Sequence, residues 1–80
     1  MNDDPMAMAD RLTKYVDELI ELRRQKNAPK IEVKILMINN VLDKLKKAYT
    51  VASFPDGIVE RIRHDKERAD LPPPANEYEF

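Results

Sequence analysis

The sequence predicts an all-α protein: an antiparallel helical hairpin plus a shorter third helix, forming a small three-helix bundle with a tendency to associate as a dimer. Three observations carry this reading. Between Lys30 and Ala52 the apolar residues Ile31, Ile35, Ile38, Leu42, Leu45, Tyr49 and Ala52 recur in alternating steps of four and three, which keeps them on one stripe of a helix turning about 100° per residue. The chain has a single glycine, Gly57, so little in it interrupts helical structure. The prolines outside the tail, Pro5, Pro29 and Pro55, each stand where a helix can begin, because a missing N–H in a first turn breaks no helical hydrogen bond.

Taken in order, the first helix is expected over residues 5–26, with Met8, Leu12, Tyr15, Val16, Leu19, Ile20 and Leu22 on its apolar face. Arg11, Lys14, Asp17, Glu18 and Glu21 turn outward, and Asp10 and Lys14 have the acid-before-base spacing that favours an ion pair along one helix. The turn is expected at Asn27, Ala28 and Pro29. Asn27 tolerates the left-handed conformation that ends a helix, and Pro29 disfavours helical geometry at Ala28. So short a connection makes the two helices pack antiparallel.

The second helix is expected over residues 29–52. Beside its main coiled-coil-like seam, Val33, Met37, Val41, Ala48 and Val51 form a second stripe, and together the two stripes cover about half of the helix surface. One neighbour cannot cover that much, so this helix is expected at the centre of a bundle or at the seam of an oligomer. The third helix is expected over residues 55–69, with Ser53 placed to cap it and Asp56 favoured in its first turn. Its apolar residues are few, and the run Arg61 to Arg68 is almost entirely charged. Its second half therefore reads as a solvated extension, and Phe54 reads as an anchor whose loss destabilises more than the loss of any residue after Arg63. Residues 1–70 form one helical domain, and residues 71–80 an extended, proline-rich, acidic tail stiffened by Pro72, Pro73 and Pro74.

Eighty residues make one small domain with a modest core, for which association is a common route to stability. The chain has no cysteine and hence no disulfide or thiolate metal site, which fits a cytoplasmic location. Asn2, Asp3 and Asp4 do not resemble the start of a secretory leader, and no run is long enough for a membrane span. The net charge is only −1, yet every lysine and arginine falls between Arg11 and Arg68, while the flanks carry Asp3, Asp4, Asp10, Asp70, Glu77 and Glu79. The result is a basic body with acidic ends.

Signs of catalysis are missing. His64 is the only histidine and sits among Arg63, Asp65 and Lys66 on a segment expected to be exposed, whereas acid–base chemistry needs a positioned partner and zinc needs three or four ligands. Asp17, Glu18 and Glu21 face no second carboxylate cluster, and a single glycine builds no phosphate loop. No enzymatic activity, cofactor or metal is expected.

The leading expectation is a noncatalytic module that binds another protein, as an adaptor, small chaperone or inhibitor, or that binds a second copy of itself. Val33, Met37 and Val41 are its contact residues, joined by the tail aromatics Tyr78 and Phe80, which alternate with Glu77 and Glu79 in a pattern suited to capture by a partner. In a dimer of hairpins Val33 and Met37 would be buried in a four-helix arrangement; in a monomer they would stay under-covered. The alternative is a nucleic-acid or other anion site at the hairpin turn, built from Arg23, Arg24, Lys26, Lys30 and Lys34 and extended by Lys44, Lys46 and Lys47. Lys30 and Lys34 lie at the positive end of the second helix, where their charge is locally unfavourable. The segment Phe54-Pro55-Asp56-Gly57-Ile58-Val59 resembles the loop of helix-hairpin-helix DNA-binding modules, but Val59 stands where their second glycine lets the backbone approach a phosphate, and no family is assigned on it.

Overall fold

In a computed structural model, which describes residues 4–51 and 54–70, the chain is all-helical. Helix α1 runs Pro5–Arg24, α2 Ala28–Val51 and α3 Asp56–Arg68, with no strand among the described residues. Pro5 opens α1 behind Asp4, whose carbonyl accepts from the Met8 N–H at 3.0 Å. Pro29 falls in the first turn of α2 and Pro55 directly before α3, so all three prolines sit at helix starts.

The hairpin turn lies earlier than expected. Lys26 rather than Asn27 takes the left-handed conformation, with φ 57°. The Asn27 N–H donates back to the Leu22 carbonyl and the Lys26 N–H to the Arg23 carbonyl, both at 3.1 Å, the paired bonds of a Schellman helix end. Asn27 instead starts α2, its carbonyl accepting from the Ile31 N–H at 3.0 Å. Asparagine suits either place; closing α1 after Arg24 puts it at the second.

The central helix is α1, not α2. It packs against both neighbours, and no Cα of α2 lies within 8 Å of one in α3 among the described residues. Met8, Ala9, Leu12, Val16 and Leu19 of α1, Ile38, Val41 and Leu45 of α2, and Ile58, Ile62 and Ala69 of α3 form one buried core. Helix α2 runs antiparallel to α1, since Lys34 reaches Glu18 near the turn while Met8 shares a hollow with Lys44 and Ala48 at the far end. Helix α3 then runs parallel to α1, its successive residues Arg61, Asp65 and Arg68 meeting Asp10, Thr13 and Asp17. The buried line Ile38, Val41, Leu45 falls between the two predicted stripes, and Ile31, Ile35, Leu42 and Ala48 are half-buried beside it.

Two expectations for the third helix are corrected. Its second half is not a solvated extension: Ile58, Ile62, Asp65 and Ala69 repeat at helical seam spacing and all are buried on α1. A charged run can still contribute such a face because every third or fourth position suffices. Helix α3 begins at Asp56, so the residue in the cap position is Pro55, which has no side-chain donor or acceptor to offer, and Ser53 lies outside the described residues. Phe54 is buried and meets the Tyr49 ring edge-on, with centroids 5.3 Å apart, tying the α2–α3 connection to the end of α2.

Candidate functional site

Two polar or open regions flank α1. On the side facing α3 a hydrogen-bonded chain links six side chains. The Arg61 guanidinium pairs with Asp10 at 2.6 Å and donates from Nε to the Thr13 hydroxyl at 3.1 Å. Thr13 in turn donates to Asp65 Oδ2 at 2.5 Å, and Arg68 bridges Asp65 Oδ1, at 3.0 Å, to Asp17. Asp65 is only 2% exposed, and no described buried side-chain polar atom lacks a partner. The Asp17 hydrogen bond raises the Arg68 guanidinium above its ordinary value, against the opposing effect of burial and with help from Asp65. The expected pair of Asp10 with Lys14 gives way to this interhelical one. The network is closed on itself, and it holds α3 in register on α1.

Beside this network, nearer the hairpin turn, lies a groove between α1 and α2. Glu18, Glu21 and Leu22 form one wall and Lys30, Val33 and Lys34 the other, enclosing about 460 Å³ next to the hairpin turn. A second hollow, lined by Arg11, Tyr15, Met37, Asn40, Val41 and Lys44, continues it along the same two helices. Lys34 divides them: its side chain is 15% exposed, its ammonium pairs with Glu18 at 3.1 Å, and it stands 5.0 Å from the centre of the Tyr15 ring.

The groove contains part of the expected contact set. Val33 is 56% exposed on its rim and Met37 is half-buried in the second hollow, whereas Val41 is 5% exposed and belongs to the core. Tyr78 and Phe80 lie outside the described residues. Sequence reading missed Leu36, the most exposed of the large apolar side chains described, at 68%. It falls off both stripes of α2; its signal was an apolar residue one turn from Val33 on the solvent side.

The basic cluster is largely dispersed. Arg23 reaches across to α3 and donates to the Ala69 carbonyl at 2.5 Å, satisfying an orphan acceptor at that helix end. Arg24 holds Glu21 in a two-bond pair, which raises its own guanidinium and, with a weaker contribution from Gln25, holds the Glu21 carboxyl below its ordinary value. Lys34 is spent on Glu18 and Tyr15, which answers the unfavourable charge expected for it at the start of α2. Lys26 and Lys30 remain exposed at the turn, with no ion pair among the described residues.

Among the described residues no group of carboxylates or histidine is arranged to hold a metal ion, and no helix is long and apolar enough to cross a membrane. No family model matches the chain, and no curated protein or solved structure matches it either. What the fold defines is a small all-helical protein with a three-helix architecture. Its open feature is the groove on the hairpin.

Proposed function

We propose that this chain is a noncatalytic helical interaction module that pairs with protein, in the first instance a second copy of itself, through the α2 edge beside the groove. The observation that carries this reading is the exposure of Val33 and Leu36, at 56% and 68%, next to half-buried Met37 on one edge of α2. Residues spaced by three and four positions form a continuous ridge, and an apolar ridge beside a groove is the shape a partner helix packs into. A second hairpin laid against this edge would complete a four-helix arrangement and cover these side chains.

Light scattering over a range of concentrations tests it. The wild type is expected to rise toward twice the monomer mass, and Val33→Lys with Met37→Lys to remain monomeric with an unchanged helical spectrum. A wild type that stays monomeric throughout, or a double variant that still dimerises, would overturn the reading.

A further inference from the structure

The groove beside the hairpin turn has a candidate occupant within the same chain. Arg23 fixes the Ala69 carbonyl to the last turn of α1, so the described chain ends at Asp70 at the same end of the bundle as the groove lined by Leu22, Lys30 and Val33. Beyond it come Leu71, three prolines, and the sequence Ala75-Asn76-Glu77-Tyr78-Glu79-Phe80. At about 3.1 Å per residue a proline-rich run from Asp70 to Glu77 reaches about 20 Å. That is enough to pass round the end of a helix about 10–12 Å across.

The chemistry also matches. In an extended segment alternate side chains point to opposite sides, so Tyr78 and Phe80 share one side and Glu77 and Glu79 the other. The groove offers apolar surface at Leu22 and on the Val33 rim, and beside it an exposed Lys30 with no ion-pair partner among the described residues. Its own carboxylates are neutralised, Glu18 by Lys34 and Glu21 by Arg24. The apolar surface wants rings and Lys30 wants an anion.

We propose that Glu77–Phe80 seats in the α1–α2 groove of its own chain, Tyr78 and Phe80 on Leu22 and Val33, with the Glu77 and Glu79 carboxylates at Lys30. The tail then competes with a second copy for the Val33 edge, and this regulatory consequence rests on the self-association reading above. Seating itself does not. Three prolines between Asp70 and the aromatics assist, because they limit the conformations lost on docking and carry no N–H to be buried unpaired.

The test is zero-length carbodiimide cross-linking of the full chain, using an equal mixture of unlabelled and ¹⁵N-labelled protein at low micromolar concentration. The expected product is a Lys30 link to Glu77 or Glu79 within chains of one isotope, and Tyr78→Ser with Phe80→Ser should lower its yield about tenfold, equivalent to about 1.4 kcal/mol. No Lys30 link, mixed-isotope links as frequent as single-isotope ones, which is the signature of linking between chains, or a yield unaffected by removing both rings would each overturn the proposal. Light scattering of the same tail variant separates the two readings. A Lys30 link in a chain that stays monomeric with and without its tail rings upholds tail seating and removes self-association. Dimerisation that depends on Val33 without any Lys30 link does the reverse.

Discussion

Thr13 of α1 donates its hydroxyl hydrogen to the Asp65 carboxylate of α3 at 2.5 Å, across 52 positions of sequence. Each residue occupies a seam position where the pattern around it is apolar, and each is acceptable there because it is partnered, Asp65 by Thr13 and Arg68, and Thr13 by Asp65, Arg61 and the Ala9 carbonyl. The same hydroxyl accepts from Arg61, so one small side chain satisfies an acid and a base at once.

Removing that hydroxyl leaves a buried carboxylate short of a donor. Thr13→Val, which keeps the shape, should therefore lower unfolding free energy by about 1–3 kcal/mol, while Thr13→Ser should recover most of the loss. Urea unfolding followed by helical circular dichroism measures both. A Val variant as stable as the wild type would mean that Arg68 alone satisfies Asp65.

The left-handed Lys26 carries a conformational cost that glycine avoids. At φ 57° a side chain with Cβ is disfavoured, and Lys26→Gly should raise stability by about 1 kcal/mol, visible as a higher denaturation midpoint at unchanged slope. Lys26→Val should lower it, since a branched side chain tolerates this geometry least.

Arg23 and Lys30 were indistinguishable as members of a basic cluster, and the structure separates them. Arg23→Ala removes the donor to the Ala69 carbonyl and should cost about 1–2 kcal/mol, whereas Lys30→Ala should leave stability within about 0.5 kcal/mol. Thermal unfolding of the two variants side by side checks the contrast.

A similar contrast holds within α2, between Leu36 and Ile38. Ile38 is fully buried and Leu36 mostly exposed. Ile38→Ala should cost about 2–5 kcal/mol, and Leu36→Lys, measured dilute enough to keep the chain monomeric, less than about 0.5 kcal/mol.

The pH response follows from the direction of each shift. Glu21 is held below its ordinary value by Arg24, so the stability it contributes is present above that ordinary value and is lost as pH falls through the lowered one. Arg68 is raised, so its contribution is fully present below the ordinary arginine range and is lost only as pH climbs through the raised value. The Glu21→Gln variant and the wild type should therefore differ in mildly acidic solution as they do at neutral pH, and converge only in strongly acidic solution, below the lowered Glu21 value. Added salt should shrink their difference at neutral pH, because the Glu21–Arg24 pair is open to solvent.

The three helices were legible because proline placement and apolar spacing act locally. Pro5, Pro29 and Pro55 mark helix starts whatever surrounds them, and the stripe through Ile38 and Leu45 reports a buried face directly. The choice of central helix was not legible in the same way. Apolar width measures how much surface a helix presents, not how much is covered, and α2 presents more than α1 covers. Helix α1 holds the middle because Ala9 and Thr13 let α3 approach it, and a small or polar residue contributes little to an apolar count. The charged stretch of α3 hid Asp65 for the same reason: its meaning depends on Thr13, which lies far away in sequence. Val33 and Met37 were found from their place in a stripe, while Leu36 escaped because it belongs to none.

Helices α2 and α3 each pack on α1, with no Cα of one within 8 Å of the other among the described residues, and this divides the molecule's resistance to opening. The α1–α2 interface closes across a turn of a few residues, a local pairing that does not wait on α3. Detaching α3 breaks only its own seam and leaves the hairpin paired. Amide hydrogens of α3 should therefore exchange with solvent through a partial opening that costs less than global unfolding, while those of α1 near Leu12 and Val16, held by both neighbours, exchange only when the whole chain opens.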